Sequence, residues 1–413
     1  METKVAKTKV AKAKVAKTTK ATNTAIAAIE DTTEAATAAT ATATKNINQD
    51  IDLCLLKYIN DTTDAEAADA GTCDDIDIEE ATQAIYDILN NNGSELSIEN
   101  VRVRVSDIKH YRKELNVLLQ LPLMKQRTTE WFEARKTRLT ASDLYDAVKG
   151  GNVSIRLAKK KANIVVDNIN YNAIPALKWG TMFEPMATRC YSQRMNNIAI
   201  YDFGLICDTS NEHFGASPDG INEIGIMLEI KCPYSRKIED GIIPDKYRMQ
   251  IQGQLAVCKL KECDYIECIF KSIENEEDYL ELEVDINNNI KHGVIAEFYN
   301  QKGEYVYFYS DPNKTPKECV DDITNIRDSI MNGSDNSLST EKLKFSKYTY
   351  WNLDDMIIQR VVFNANEWET IVPKINTFWE SVEEYKMLPI EIGIKKYKFV
   401  DDSDGEENKD GNP

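Results

Sequence analysis

The chain has 413 residues, 42% hydrophobic and 29% charged, which is enough apolar material for a sizeable buried core. No apolar run approaches the roughly 18–20 residues that cross a bilayer, and the lysine-bearing N-terminus lacks the apolar stretch of a secretory signal. An intracellular protein without a membrane span is expected. Three histidines leave little material for chemistry built on several imidazoles, so carboxylates must carry most of any catalysis. The nine cysteines form an odd set with no C-x-x-C pair, and Cys258, Cys263 and Cys268 are five apart. They read as reduced thiols, with neither zinc nor an iron–sulfur cluster expected. The net charge of −18 is concentrated at the ends: residues 1–100 carry −9 and residues 401–413 carry −5. The near-neutral remainder can still present a basic groove, so the overall charge does not veto a nucleic-acid substrate.

Residues 1–50 begin with a lysine-rich repeat and continue as a tract of Ala and Thr, a low-complexity composition that predicts disorder. Residues 51–60 and 78–91 have helical apolar spacing, and 51–100 reads as a small acidic helical extension. A folded domain is expected over 101–400. Helical patterns cover 106–119, 142–149, 181–196 and 244–259. Short β-branched or aromatic runs predict strands at 198–207, 213–217, 225–232, 264–270, 280–285 and 304–310. The region around 271–345 looks like an insertion. Two further strands (347–353 and 356–363) and a helix bearing Trp368, Phe378 and Trp379 close the domain, with the aromatic stripe read as core. Residues 401–413 form an acidic tail, expected to be disordered.

The informative stretch joins Ser217-Pro-Asp-Gly220 to Ile226-Met-Leu-Glu-Ile-Lys-Cys-Pro233. Alternate strand residues share a face, so Glu229 and Lys231 point the same way, and Asp219 at the start of the hairpin arm can turn toward them. Two carboxylates can hold a divalent cation, with a lysine beside the water it polarises. A plain surface salt bridge is the alternative, but Glu229 and Lys231 stand inside an apolar strand. Upstream, Arg135 precedes Thr140-Ala-Ser142, where a hydroxyl at a helix start beside a guanidinium suits a phosphate; a routine cap is the simpler reading. Trp179-Gly-Thr-Met-Phe-Glu184 opens another helix, with Pro185 tolerable if that helix starts near Thr181. Downstream, Gln250 and Gln254 share a helix face and Gln252 does not.

Taken in order, W-x3-R-x4-T-A-S, W-G-x3-E, S-P-D-G, L-E-I-K-C-P and Y-x2-Q-x-Q resemble the phage lambda-type exonucleases, or YqaJ-like viral recombinases, of the PD-(D/E)XK nuclease superfamily. The resemblance spans about 126–260. It implies an α/β (α+β), restriction-endonuclease-like core with a mixed central sheet flanked by helices. By the same resemblance Asp219, Glu229 and the Ile230 carbonyl would bind Mg²⁺, for which Mn²⁺ could substitute. Glu184 would assist, and Asp208 is a further acid candidate. Lys231 would orient or deprotonate the attacking water, and Gln252, with Gln250, would support the site. Arg135, Thr140 and Ser142 would receive a 5′-terminal phosphate, with Lys149 or Arg156 as a second basic contact. The implied activity is 5′-to-3′ digestion of linear double-stranded DNA ends during viral recombination, replication or repair. The implied partners are duplex DNA ends, a single-strand annealing protein and a homo-oligomer, a trimer in phage relatives. The implied setting is the cytoplasm of a cell infected by a large DNA virus, or the virion. Alternatives are a structure-specific endonuclease and a DNA-packaging protein that keeps only the fold.

Overall fold

The computed structural model describes residues 48–62, 76–92, 96–122, 124–165, 174–282, 291–333 and 342–388. Both tails expected to be disordered lie outside these residues, apart from 48–50. The chain divides into two compact units, with the boundary inside one helix at Asp107/Ile108.

The first unit is helical. Helix α1 covers 48–62. Helix α2, Ile78–Asn91, starts where the Asp77 carboxylate accepts the free N–H groups of Glu79 (2.9 Å) and Glu80 (3.0 Å). Its Ala81, Ile85 and Leu89, four residues apart, form the buried stripe. Helix α3, Ile98–Leu119, contributes Arg104, whose guanidinium forks onto buried Asp52 at 2.7 and 2.8 Å.

The second unit is built on two sheets. A small one has the order β1 (Leu139–Thr140), β4 (Phe214–Ala216), β3 (Ile206–Cys207). The large one runs β2 (Ile200–Tyr201), β5 (Gly220–Asn222), β6 (Met227–Lys231), β7 (Glu262–Ile273), β10 (Lys344–Val362), β8 (His292–Tyr299), β9 (Tyr305–Tyr309). β6 and β7 are parallel, joined by helix α8 (Asp245–Cys258), because a parallel pair needs a crossover; the other pairs of this sheet are antiparallel. Helices α4 (Thr129–Lys136), α5 (Leu144–Lys149), α6 (Gly151–Lys161), α7 (Pro175–Arg194), α9 (Glu276–Leu280), α10 (Pro316–Met331) and α11 (Ala365–Lys386) complete the unit. The main core joins α5, α8 and α11 to the sheets through Leu144, Phe214, Leu255, Tyr265, Ile375 and Trp379. A second cluster seats α10 on β8. This mixed sheet flanked by helices is the architecture expected of a restriction-endonuclease-like core.

Several local expectations are corrected. α7 begins at Pro175, not near Thr181, so Pro185 lies inside the helix. Pro175 is preset for a first helical turn and leaves the start open six residues earlier. α6 and β8 fall where no helix or strand was expected from the local pattern. Leu280 ends a short helix where a strand over 280–285 was expected, and 283–285 lie outside the described residues. The two expected strands after 346 are one strand, β10, in which the register shifts between Leu353 and Asp355 and absorbs the extra Asp354. Trp379 is buried and Trp368 packs on the core, as read from the aromatic stripe.

Candidate active site

The β5–β6 hairpin places the acidic residues. Gly225 has φ of 78°, the left-handed region, and a Cβ there would lie 2.5 Å from the Tyr111 carbonyl oxygen, so only glycine makes this turn without displacing α3. The Asn222 side chain accepts the Ile226 N–H at 2.9 Å and closes the same turn. Across the hairpin, Asp219 Oδ2 accepts the N–H of Ile230 at 2.7 Å. Glu229 has no exposed surface. Its Oε1 accepts Gln250 Nε2 at 2.7 Å and the Lys231 ammonium, and its Oε2 accepts Gln254 Nε2 at 2.7 Å. Tyr247, Gln250 and Gln254 lie on one face of α8, and the Lys231 ammonium stands 5.0 Å from the centre of the Tyr247 ring.

Burial and the neighbouring Glu229 push the Asp219 carboxyl well above the usual carboxylate range, and Lys231 only partly offsets them. Burial also raises Glu184; Arg127, 3.2 Å from it, and Lys231 oppose the rise, while Glu229 adds to it. For Lys231 burial disfavours the charge, but Glu229 and Asp219 outweigh it and lift the ammonium above its ordinary value. Carboxylates crowded at low dielectric around one lysine are a donor set short of positive charge.

The second group stands at the start of α5. Arg135, from the last turn of α4, lies over the Trp131 ring at 4.3 Å and donates to Thr140 Oγ1 (3.3 Å) and Ser142 Oγ (3.1 Å). Ser142 does not cap the helix: Ala141–Asp143 form a 3₁₀ turn without a side-chain cap, which frees the hydroxyl for Arg135. Asp143 closes the cluster from behind. Burial opposes its charge, but Lys161 at 3.1 Å and Arg135 hold it below the usual range. Gly253 allows the close approach of α8 to this turn, for a Cβ there would meet Leu144 at 3.0 Å and Phe214 at 3.1 Å.

A cleft of about 430 Å³ is lined by Glu184, Ile230, Lys231 and Gln250 of the first group and by Ser142 of the second, with Thr181 beside them. Of the residues singled out in the sequence, Asp219, Glu229, Ile230, Lys231, Glu184 and Gln250 come together, as do Arg135, Thr140 and Ser142. Two do not join them. Gln252 is corrected: its amide donates to the Val362 carbonyl (3.0 Å) and accepts the Asn364 N–H (2.7 Å), because one α8 turn cannot aim residues 250 and 252 the same way. Gln252→Ala is expected to cost about 1–3 kcal/mol of stability by orphaning those backbone groups, with cleavage by the folded protein unchanged. Comparing denaturation midpoints with single-turnover rates checks this. Asp208 is corrected too: it turns back onto Ser210 N (2.8 Å) and Oγ (2.7 Å) in the β3–β4 loop and does not line the cleft.

The sequence reading set Gln254 on the Gln250 face without giving it a role, and it missed Lys161. Gln254 carried a signal, its four-residue spacing from Gln250. Lys161 carried none, because α6 was not foreseen; it donates to the Arg135 carbonyl at 3.0 Å, whereas Lys149 and Arg156 are exposed.

Residues 130–261 match the model of the YqaJ-like viral recombinase domain, and the match contains every residue of both groups. The chain carries a YqaJ-like viral recombinase domain. It is 26% identical over 328 residues to an uncharacterized protein of Acanthamoeba polyphaga mimivirus, covering 70% of this chain and 57% of that protein. It is 28% identical over 180 residues to a protein of African swine fever virus, covering 36% of this chain and 50% of that one. The chain thus spans about half the length of these viral relatives. Among solved structures, the alkaline exonuclease of Laribacter hongkongensis aligns at 19% identity with a TM-score of 0.38, over 62% of this chain and 93% of that one. No helix among the described residues is long and apolar enough to cross a membrane.

Within the YqaJ-like domain the buried Glu229 and the half-buried Asp219 and Glu184 offer oxygen donors, the chemistry that suits a hard divalent cation. They do not converge as arranged: among the described residues no three acidic, cysteine or histidine side chains group at metal-binding distance. Both Glu229 oxygens instead hold amide or ammonium donors.

Proposed function

We propose that this protein is a Mg²⁺-dependent nuclease that digests linear double-stranded DNA from its 5′ ends. One observation carries the reading: Ser142 of the Arg135–Thr140–Ser142 group lines the same cleft as the Glu184–Lys231–Gln250 group. The first has the donors of a phosphate site and the second has the carboxylates and lysine of a hydrolytic site.

Asp219, Glu229, the Ile230 carbonyl and Glu184 would hold the cation, and Mn²⁺ would be accepted by the same oxygen donors. The cation supplies a lowered pKa for bound water and charge stabilisation at the phosphoryl group. Gln250 and Gln254 fix the rotamer of Glu229 from the α8 side. Lys231, kept charged by Glu229 and Asp219, is suited to orient the attacking water and to donate to an oxygen gaining charge rather than to accept a proton. Arg135, buttressed by Trp131, would grip a terminal phosphate and set the distance from the strand end to the scissile bond. The exposed single strand would pass to an annealing partner, and a ring of copies would favour uninterrupted digestion.

The test is digestion of linear duplex DNA bearing a 5′-phosphate or a 5′-hydroxyl, in Mg²⁺ or in EDTA. Metal-dependent loss of one strand, faster with the phosphate, is expected; an intact duplex under every condition overturns the proposal. In Arg135→Lys the preference for the phosphate should fall roughly 10- to 100-fold, since one terminal nitrogen serves both hydroxyls and an ammonium in its place lacks the second planar nitrogen that a phosphate would take. A preference equal to that of the unaltered protein would remove Arg135 from phosphate recognition.

A further inference from the structure

The strands β8, β9 and the start of β10 lie beyond the matched domain, and their two faces differ. One face packs Val294, Ala296 and Phe298 against Val320 and Ile323 of α10. The opposite face is aromatic and basic. Directly paired residues share a face, and the register pairs Tyr299 with Tyr305, Glu297 with Tyr307, Lys344 with Tyr299 and Lys347 with Glu297. Tyr299 is 36% and Tyr305 37% exposed. The rings of Tyr305 and Tyr307 lie nearly parallel, 19° apart with centroids at 6.3 Å, because alternate residues of one strand project side by side.

Lysines surround these rings. Lys178 of α7 places its ammonium 3.7 Å from the centre of the Tyr305 ring, and Lys344 stands 6.0 Å from that of Tyr299. Among the described residues of this face, Lys178, Lys344 and Lys347 stand against one carboxylate, Glu297, which is buried and accepts Lys178 (2.6 Å) and the Ser346 hydroxyl (2.8 Å). A buried acid that anchors one lysine leaves the outward charge of the face positive.

We infer that the Tyr299–Tyr305–Tyr307 face, with Lys178, Lys344 and Lys347, binds single-stranded DNA. Flat rings accept bases of any sequence and ammonium groups accept the phosphates between them, the pairing that distinguishes a single-strand surface from one that grips a duplex only by its charge. Position agrees with this occupant. Lys178 belongs to the same helix whose Leu177, Thr181 and Glu184 border the cleft, so a strand leaving the cleft crosses α7 onto the tyrosines. Only that route rests on the nuclease reading; the binding does not.

The experiment uses the full chain in EDTA, where cleavage plays no part, and measures fluorescence anisotropy with an oligothymidylate and with an abasic phosphodiester oligomer of equal length. Comparing the two cancels attraction to phosphate alone, including that of the lysine-rich N-terminal segment. The unaltered protein is expected to bind the thymidylate roughly tenfold or more tightly than the abasic oligomer. Tyr305→Ala/Tyr307→Ala should erase the preference and Tyr305→Phe/Tyr307→Phe should keep it. Tyr299→Ala, at an exposed position, should reduce it without lowering the melting temperature. Equal affinity of the unaltered protein for both oligomers overturns the inference. So does a preference that survives the double alanine change, or one lost equally in the phenylalanine variant.

Discussion

Replacement of Lys231 by alanine is expected to slow cleavage of linear duplex DNA roughly 100- to 1000-fold, the usual cost of removing a preorganised donor that meets charge developing in the transition state. The expectation follows from where the ammonium sits. It touches Glu229, lies in the field of Asp219 and lines the cleft, so it is a cation placed beside Glu229 and Asp219. Its removal leaves the Gln250 and Gln254 bonds to Glu229 in place, so the fold around the carboxylate should persist. Single-turnover rates in saturating Mg²⁺, read beside DNA affinity in EDTA, separate the two roles open to the residue. A fall in rate with affinity kept identifies a group acting on the transition state. A fall in affinity with the rate kept makes Lys231 a phosphate contact, and unchanged values of both would exclude it from the site.

Arg360→Met is expected to destabilise the protein by about 3–5 kcal/mol, the range for removing one partner of a buried ion pair. Arg360 on β10 forks onto Asp264 of β7 (Nε to Oδ1, 2.6 Å; Nη2 to Oδ2, 3.2 Å) and also pairs with Glu262. The two acids are alternate residues of one strand and therefore share a face, so removing the guanidinium leaves two buried carboxylates side by side. The network extends to the site's supports. Tyr191 of α7 donates to Asp264 Oδ2 at 2.7 Å, Asn222 of the β5–β6 hairpin donates to Tyr191 at 3.1 Å, and Tyr111 of α3 donates to Glu262 at 3.1 Å. Urea denaturation measures the loss. Arg360→Lys should recover only part of it, because a point charge cannot replace a fork. Adding Glu262→Gln and Asp264→Asn to Arg360→Met should restore much of the stability, since the uncompensated charges are then gone. A loss under 1 kcal/mol for Arg360→Met would show that water or other donors already satisfy the acids.

The legible features of this chain were those set by neighbours along it. Period-two alternation in Met227–Lys231 placed Glu229 and Lys231 on one face, and the structure has them in contact. The i, i+4 spacing put Gln250 and Gln254 on one face of α8, and both reach Glu229. The short stretch from Arg135 to Ser142 announced a guanidinium among hydroxyls. Asp208 and Gln252 misled because distance along the chain says nothing about direction: a local turn captured the first and the backbone of the β10–α11 junction captured the second. Lys161 was invisible because no helix was expected over 151–161, where two glycines with positive φ, Gly150 and Gly151, form the joint between α5 and α6.

By itself, then, the sequence determined the mixed helix–strand composition, the acidic strand, the basic hydroxyl cluster and the face each residue takes, because backbone periodicity and turn chemistry act over a few residues. Long-range packing set the rest: Ser142 lines the cleft that holds Glu184 and Lys231, α6 sends a lysine to Arg135, and tyrosines from β8 and β9 meet lysines from α7 and β10. Such meetings depend on how sheets and helices pack across a hundred or more residues, and the local pattern carries no record of that distance.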